Sequence, residues 1–217
     1  MKVLVVAAHS DDEMLGCGGT ILKHVSQGDD VKIIFLTDGV GARKGDDSEK
    51  EKRESSTEKV MQKIGVEDYV CLDFPDNKLD SVALLEIVQG IEKKTKGYSP
   101  EVIYTHFYGD LNIDHQIVNR AVKTAFRPLP GCTVKKILSF EVVSSTEWGM
   151  NTFEPSYFVD VSEFQSKKMD ALKLYDSEMR AEPHARSYEN VLNLMKFRGN
   201  SIGLSFAEAF VVERIRE

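Results

Sequence analysis

Cysteine is scarce in this chain. Only Cys17, Cys71 and Cys132 occur, far apart and without a CxxC pair. That excludes a thiolate zinc cluster and a disulfide framework, and it points to a reducing, cytoplasmic setting. Long apolar runs are lacking too: no stretch approaches the roughly 18 residues needed to cross a bilayer, so no membrane insertion is expected. The apolar run at residues 3–8 is cut short by His9, Asp11, Asp12 and Glu13, too early for the core of a signal peptide. Basic charge is not in excess. With 28 basic against 35 acidic residues the net charge is −7, which argues against a nucleic-acid partner and against attraction to anionic membranes. No internal repeat, low-complexity tract or Pro/Ser-rich linker is present, so residues 1–217 read as a single domain with a buried core.

What is present is an alternation of strand and helix signals. Residues 2–8, 32–36, 69–74 and 102–105 are short apolar or β-branched runs that predict buried strands. Between them, helical spacing covers about 14–27, 48–64, 80–96 and the segment from Asp114 to the Arg127-Pro128 break. Four such repeats predict an α/β fold, a Rossmann-like three-layer sandwich with a mostly parallel sheet. The second half is less regular: strands are expected at 135–143, 157–161 and 207–215, helices at 170–180 and 188–198.

Two clusters carry chemistry. The first, Ala8-His9-Ser10-Asp11-Asp12-Glu13, follows the first strand; the second, Asp110-Leu111-Asn112-Ile113-Asp114-His115, follows the fourth. In an open parallel sheet ligands bind beyond the carboxyl ends of strands, so both clusters fall on the functional rim. Adjacent carboxylates there need a cation or a helix N-terminus to offset their desolvation. Two imidazoles and one carboxylate from His9, Asp12 and His115 make a common catalytic zinc set that leaves a position for water. Asp11 and Asp12 cannot easily point the same way, so one ligand and one proton acceptor is a natural division. Asp and Ser before a helix are also ordinary N-cap residues; either cluster alone fits that reading, the two together on matching strand ends do not.

These residues resemble the PIG-L/LmbE superfamily of N-deacetylases. Its first signature, His-Pro-Asp-Asp-Glu, stands here as His9-Ser10-Asp11-Asp12-Glu13, and its second ends in Asp-His, here Asp114-His115. Weaker matches are Thr37-Asp38-Gly39, Arg53-Glu54, Phe74-Pro75-Asp76, the 183–187 segment and the 207–210 segment. The resemblance implies metal binding by His9, Asp12 and His115, with Zn2+ as the cofactor and Fe2+ or another divalent ion as an alternative. It implies Asp11 as general base, Asp114 orienting a histidine, and Glu13, Arg53, Asp76 and Arg186 on the substrate. The implied reaction is hydrolysis of the N-acetyl group of a small acetylated amino sugar, free, nucleotide-linked or in a glycoconjugate. A nucleotide-linked or free acetamido sugar of glycan or surface-polysaccharide biosynthesis is the expected substrate.

Two departures stand out. Ser10 replaces the signature proline and loosens the loop. Asn112 stands where many members carry a histidine that stabilises the oxyanion; His184, in a Pro-flanked loop beside Arg186, is the expected substitute, with zinc or His106 as alternatives. Elsewhere, His24 is expected to be structural, His106 to support the metal site or pack in its loop, and Trp148 to stack on a sugar or pack. The charged run at 44–58 reads as a solvated face, Arg53 excepted. A rival reading is a dinucleotide-binding oxidoreductase, from Gly16, Gly18 and Gly19 with Asp38 about 20 residues on. Those glycines come late for the strand-to-helix turn, where Asp11, Asp12 and Glu13 would repel a pyrophosphate, and they suit close helix packing better. A non-catalytic metal- or sugar-binding module is the other rival; Asp11, which zinc binding does not require, speaks against it. A homo-oligomer stays open.

Overall fold

Alternation along the first strand sets the architecture. Val3, Val5 and Ala7 face one side and Leu4, Val6 and Ala8 the other, all fully buried, so helices must cover both faces. In the computed structural model, which describes residues 1–37, 39 and 47–217 (47–49 as backbone only), they do. The strands are β1 (Lys2–Ala7), β2 (Asp30–Thr37), β3 (Asp68–Phe74), β4 (Val102–His106), β5 (Lys136–Phe140), β6 (Tyr157–Asp160) and β7 (Ala207–Ile215). They form one sheet in the order β3-β2-β1-β4-β5-β7-β6. The first five pair in parallel, while β7 runs antiparallel to both β5 and β6.

One core layer joins Val3, Val5, Ile33 and Phe35 to α1 (Asp12–Ser26), α2 (Asp47–Ile64), α5 (Gln165–Leu172) and α6 (Tyr188–Asn200). The opposite layer joins Leu4, Val6, Ile34 and Ile103 to α3 (Leu84–Lys94) and α4 (Ile113–Ala125). This is the expected three-layer α/β sandwich. The strand order reverses between β1 and β4, so the two motif-bearing loops leave adjacent strands at the switch point of the sheet. Among the described residues no helix is long and apolar enough to cross a membrane.

Departures from the expected boundaries have local causes. The helix expected over 80–96 begins only at Leu84, because the preceding chain turns aside to donate Asn77 N and Leu79 N to the Asp114 carboxylate, at 2.7 and 3.0 Å. The helix expected over 170–180 is instead α5, which ends at Leu172 and continues as a 3₁₀ segment, Lys173–Glu178, kinked at Tyr175. There the Tyr175 hydroxyl reaches Glu13 Oε1 at 3.0 Å. Strand β5 stops at Phe140, short of the expected 143, as Val142 N turns to donate to Thr146 Oγ1.

Helix α1 is itself interrupted, Cys17 leaving helical geometry at φ −144, ψ 22. Before the break, Lys168 Nζ donates to Leu15 O at 2.9 Å; after it, Gly19 N and Thr20 N donate to the Glu208 carboxylate at 2.8 and 2.7 Å. Lys168 and Glu208 are buried and 2.7 Å apart. The pair therefore takes up backbone groups that the break releases from the helix ladder. The nearby glycines have the packing role the sequence suggested: a Cβ on Gly16 would lie 2.3 Å from the Phe140 ring, and one on Gly19 would lie 2.8 Å from Val161. They sit inside the helix, away from the strand-to-helix turn that a dinucleotide needs. Asp38, the ribose-binding acid of that rival reading, lies outside the described residues, as does the start of the charged run at Lys44.

The ion pair yields a stability prediction. Lys168→Met leaves Glu208 buried without its cation and is expected to cost about 3–5 kcal/mol. Urea unfolding measures it, and a loss below about 1 kcal/mol would mean the helix break is held by packing alone.

Candidate metal and active site

Helix α1 begins two residues earlier than expected, so Asp12 and Glu13 form its first turn and Asp11 occupies the N-cap position. Asp11 does not cap with its side chain, and its backbone sits at φ 148, ψ −27, a sparsely populated region for a residue with a Cβ. The ordinary-cap explanation therefore fails for Asp11. Its carboxylate is held between two guanidiniums instead: Arg53 Nη2 at 3.3 Å from Oδ1 and Arg186 Nη1 at 2.6 Å from Oδ2. Burial raises the proton affinity of Asp11; Arg186 and then Arg53 pull it back only in part, leaving the carboxyl above its usual range.

His9, Asp12 and His115 meet at the carboxyl ends of β1 and β4. Each offers a donor atom within 4.8 Å of the others, and all three are buried. Asp12 Oδ2 lies 3.1 Å from His9 Nδ1 and 3.3 Å from His115 Nε2. Among the described residues Asp12 Oδ1 is buried without a hydrogen-bond partner, and the ring nitrogens of His115 face carboxylate oxygens without hydrogen-bond geometry, a costly arrangement in a protein interior. A divalent ion relieves it, and the donor set of two imidazoles and a carboxylate suits one. The electrostatics agree. Burial lowers the proton affinity of His115, but Asp12 and Asp110 outweigh it and lift the pKa to about 9. For His9 burial is likewise outweighed, by Asp114 and Asp12, and its pKa stands well above the usual histidine range. The carboxylates thus demand positive charge here, as protons or as a metal.

Support for this group comes from three directions. Asp110 Oδ2 lies 3.2 Å from His115 Nδ1, the carboxylate-to-imidazole contact common around metal-site histidines. Asp110 also accepts from Ser145 Oγ, from Thr146 Oγ1 at 2.6 Å and from Asn112 N at 2.9 Å. Burial raises it, yet His115 and these hydroxyls outweigh that and hold it at about 2. Asp114, the residue expected to orient a histidine, lies 3.3 Å from His9 Nε2. His106 settles as site support: its Nε2 accepts from Ala8 N at 2.9 Å and its ring stacks on His115 at 3.8 Å. A backbone N–H only donates, so a neutral His106 carries its proton on Nδ1; burial and then His115 hold it well below the usual histidine range.

The remaining expected site residues divide. A cleft of about 270 Å³ opens over the metal group, lined among others by His9, Asp11, Asp76, Asn112, His184 and Arg186. Asp76 also touches His9 Nε2 at 3.1 Å. Glu13, expected on the substrate, is corrected: it is fully buried, accepts from Asp11 N at 2.9 Å and from the Tyr175 hydroxyl, and is not among the cleft-lining residues. Burial and then Asp11 push its carboxyl to about 8, and it braces the turn that carries Asp11. Asn112 caps α4, its Oδ1 accepting from Asp114 N at 2.8 Å while Nδ2 donates to Asn77 at 3.3 Å. Arg53 lines the cleft beside Gly39, whose missing Cβ leaves room for it: an added one would lie 2.8 Å from Arg53 Nε. His184 is exposed at the mouth, edge-on to Trp148 at 6.3 Å, and its Nδ1 accepts from Arg186 N at 3.0 Å. His24 is structural as expected, between Asp29 at 2.7 Å and the Tyr104 hydroxyl at 3.0 Å.

The sequence shows Asp110 within its motif without marking a role for it, and nothing in it singles out Tyr175 or Lys168. Only Asp110 had a signal: a carboxylate five residues before a candidate ligand, at a strand end.

Diacetylchitobiose deacetylase of Thermococcus kodakarensis is 29% identical over 187 residues, covering 82% of this chain and 70% of that protein. The conserved protein TT1542 from Thermus thermophilus superposes with a TM-score of 0.80 at 26% identity, covering 99% of this chain and 96% of that one. GalB, the 4-carboxy-2-hydroxymuconate hydratase of Pseudomonas putida, shares the fold at a TM-score of 0.78 and 21% identity, with 100% and 97% covered. The PIG-L family profile, described as GlcNAc-PI de-N-acetylase, matches residues 4–126, over half of the chain and both motif loops. The chain belongs to the PIG-L family.

Proposed function

We propose that this protein is a zinc-dependent hydrolase that removes an N-acetyl group from a small acetylated amino sugar. The observation that carries the reading is the buried convergence of His9, Asp12 and His115, in which Asp12 Oδ1 has no partner among the described residues, beside the carboxylate of Asp11. The deacetylase activity named for the Thermococcus relative supports it, as does a cleft whose lining is mostly polar side chains suited to sugar hydroxyls.

His9, Asp12 and His115 would hold a divalent ion, which when bound would supply Lewis-acid chemistry to the attacking water and the acetyl carbonyl. Asp11 accepts a proton from the attacking water as the new C–O bond forms to the acetyl carbon. The carbonyl electron pair moves onto oxygen and returns as the C–N bond breaks. Asp11 then passes its proton to the departing nitrogen, giving acetate and a free amine. Asp76 and Asn77 line the cleft next to His9 and are placed to bind ring hydroxyls. A passive binding module has no need of Asp11 at φ 148 between two arginines; strain maintained at such a cost belongs to a reacting group.

Two predictions test the reading. Purified protein is expected to hold about one zinc or iron per chain and to release acetate from acetamido sugars. His115→Ala should lose both, whereas Asp11→Asn should keep the metal and lose about 10²–10⁴-fold in kcat. Acetate release unchanged in Asp11→Asn would remove that residue from the mechanism. Metal affinity should also depend on pH. Binding displaces protons from imidazoles that the carboxylates hold charged, so affinity should rise with pH and level off above about 9, the range where His115 titrates. Zinc titrations between pH 6 and 10 measure this, and a flat profile would mean the histidines are not ligands.

A further inference from the structure

The unresolved point in that reading is which group meets the negative charge that develops on the acetyl oxygen. Hydrogen-bond capacity in the cleft narrows the choice. Asn112 caps α4 through Oδ1 and spends one Nδ2 N–H on Asn77; the N–H that is left is neutral and brings no charge to an oxyanion. Arg53 has partners on all three nitrogens: Nε on Ser10 Oγ, Nη1 on Glu178, and Nη2 on Ser10 O and Asp11. It holds the loop and leaves no nitrogen without a protein partner. His184 is at the exposed mouth, turned by its Nδ1 towards the backbone of Arg186.

Arg186 differs. Its Nε donates to Ser144 Oγ and its Nη1 to Asp11 Oδ2, both at 2.6 Å. Nη2 has no protein partner among the described residues, although the side chain lines the cleft. The guanidinium is also well anchored. Arg186 O accepts from Arg180 N at 3.2 Å and its own N donates to His184 Nδ1. The next residue, Ser187, caps α6, its side chain accepting from Asn190 N. Ser144, which receives Nε, has φ 67 and is bound through its N–H to Glu147 Oε1 at 2.6 Å. Two loops from different parts of the chain thus converge to fix one cation against the proposed base.

We infer that Arg186 stabilises the oxyanion in this enzyme, donating through Nη2 to the acetyl oxygen, and that His184 is the positioning residue that holds it there. This rests on the deacetylase reading above. As the C–O bond forms, the carbonyl pair moves onto an oxygen beside a fixed positive charge, and no proton need be transferred to it. A preorganised, partly buried guanidinium supplies what a neutral asparagine cannot. The same contact keeps Asp11 oriented before substrate arrives.

The test compares Arg186→Gln, His184→Ala and Asp11→Asn, each loaded with metal, by acetate release from acetamido sugars and by calorimetric binding of inorganic phosphate, a tetrahedral anion. Arg186→Gln should lose about 10²–10³-fold in kcat with KM changed less than about threefold. It should bind phosphate at least about tenfold more weakly, and added guanidinium should restore part of its turnover. Asp11→Asn should lose turnover but keep phosphate affinity, which separates loss of the anion site from loss of the base. His184→Ala should lose only a few-fold. Wild-type kcat in Arg186→Gln, or a large loss in His184→Ala without one in Arg186→Gln, would overturn the assignment. A wild type inactive on every acetamido sugar, with phosphate binding still dependent on Arg186, would leave the anion site standing and sink the deacetylase reading. If phosphate binding were also indifferent to Arg186, both would fall.

Discussion

Buried carboxylate is the constraint on which the rest of this structure depends. Asp11, Asp12, Glu13, Asp110 and Asp114 are all nearly or fully inaccessible to water, gathered at the ends of two adjacent strands. Unpaired, such charges would cost several kcal/mol each. Every nearby element answers one of them. The backbone of 77–79 donates to Asp114, the hydroxyls of Ser145 and Thr146 hold Asp110, and two arginines hold Asp11. Among the described residues Asp12 has no comparable donor for Oδ1. That exception is where a bound cation would offset the buried charge.

The second constraint is orientation. Asp12 and Glu13 lie on the first turn of a helix that breaks at Cys17. A broken helix left to itself would have free carbonyls and amides in the core. Lys168 and Glu208, from α5 and β7, satisfy both sides of the break at once. The direction of the first turn is thereby tied to elements far away in sequence. Small residues complete the arrangement, since Gly16 lies against the Phe140 ring and Gly19 against Val161.

Much of this was legible in the sequence. Short apolar, β-branched runs in β1, β2 and β4 identified strands buried on both faces, the rim rule put both motif loops on one rim, and the family resemblance singled out His9, Asp12 and His115, which the fold does bring together. What was not legible depended on contacts between distant segments. The break in α1 leaves no mark in hydrophobic periodicity, because Cys17 is as apolar as its neighbours. The true start of α3 depends on Asp114 pulling on residues 77–79, thirty-five or more positions away. Glu13 looked like a cleft residue because it adjoins one; its partner Tyr175 lies 162 residues on, and only the folded chain reveals that it faces inward. Arg53 and Arg186 looked equivalent as cationic residues, and counting occupied nitrogens is what separates them.

That separation says how the two halves of the chain share the work. The profile match ends at residue 126, and within it lie His9, Asp12 and His115, with Asp11, Asp76 and Arg53. The groups that finish the site come from beyond it: Ser145 and Thr146 behind Asp110, Tyr175 behind Glu13, Lys168 and Glu208 behind α1, and Arg186 in the cleft wall. The proposed metal and base would need side chains fixed on rigid strand ends, which the parallel half provides. The charge around the reacting carbonyl and the outer wall of the cleft are set by loops, where a change of residue leaves the sheet intact. In this chain the 144–149 and 180–187 loops therefore form the part of the cleft wall that can change without disturbing the sheet.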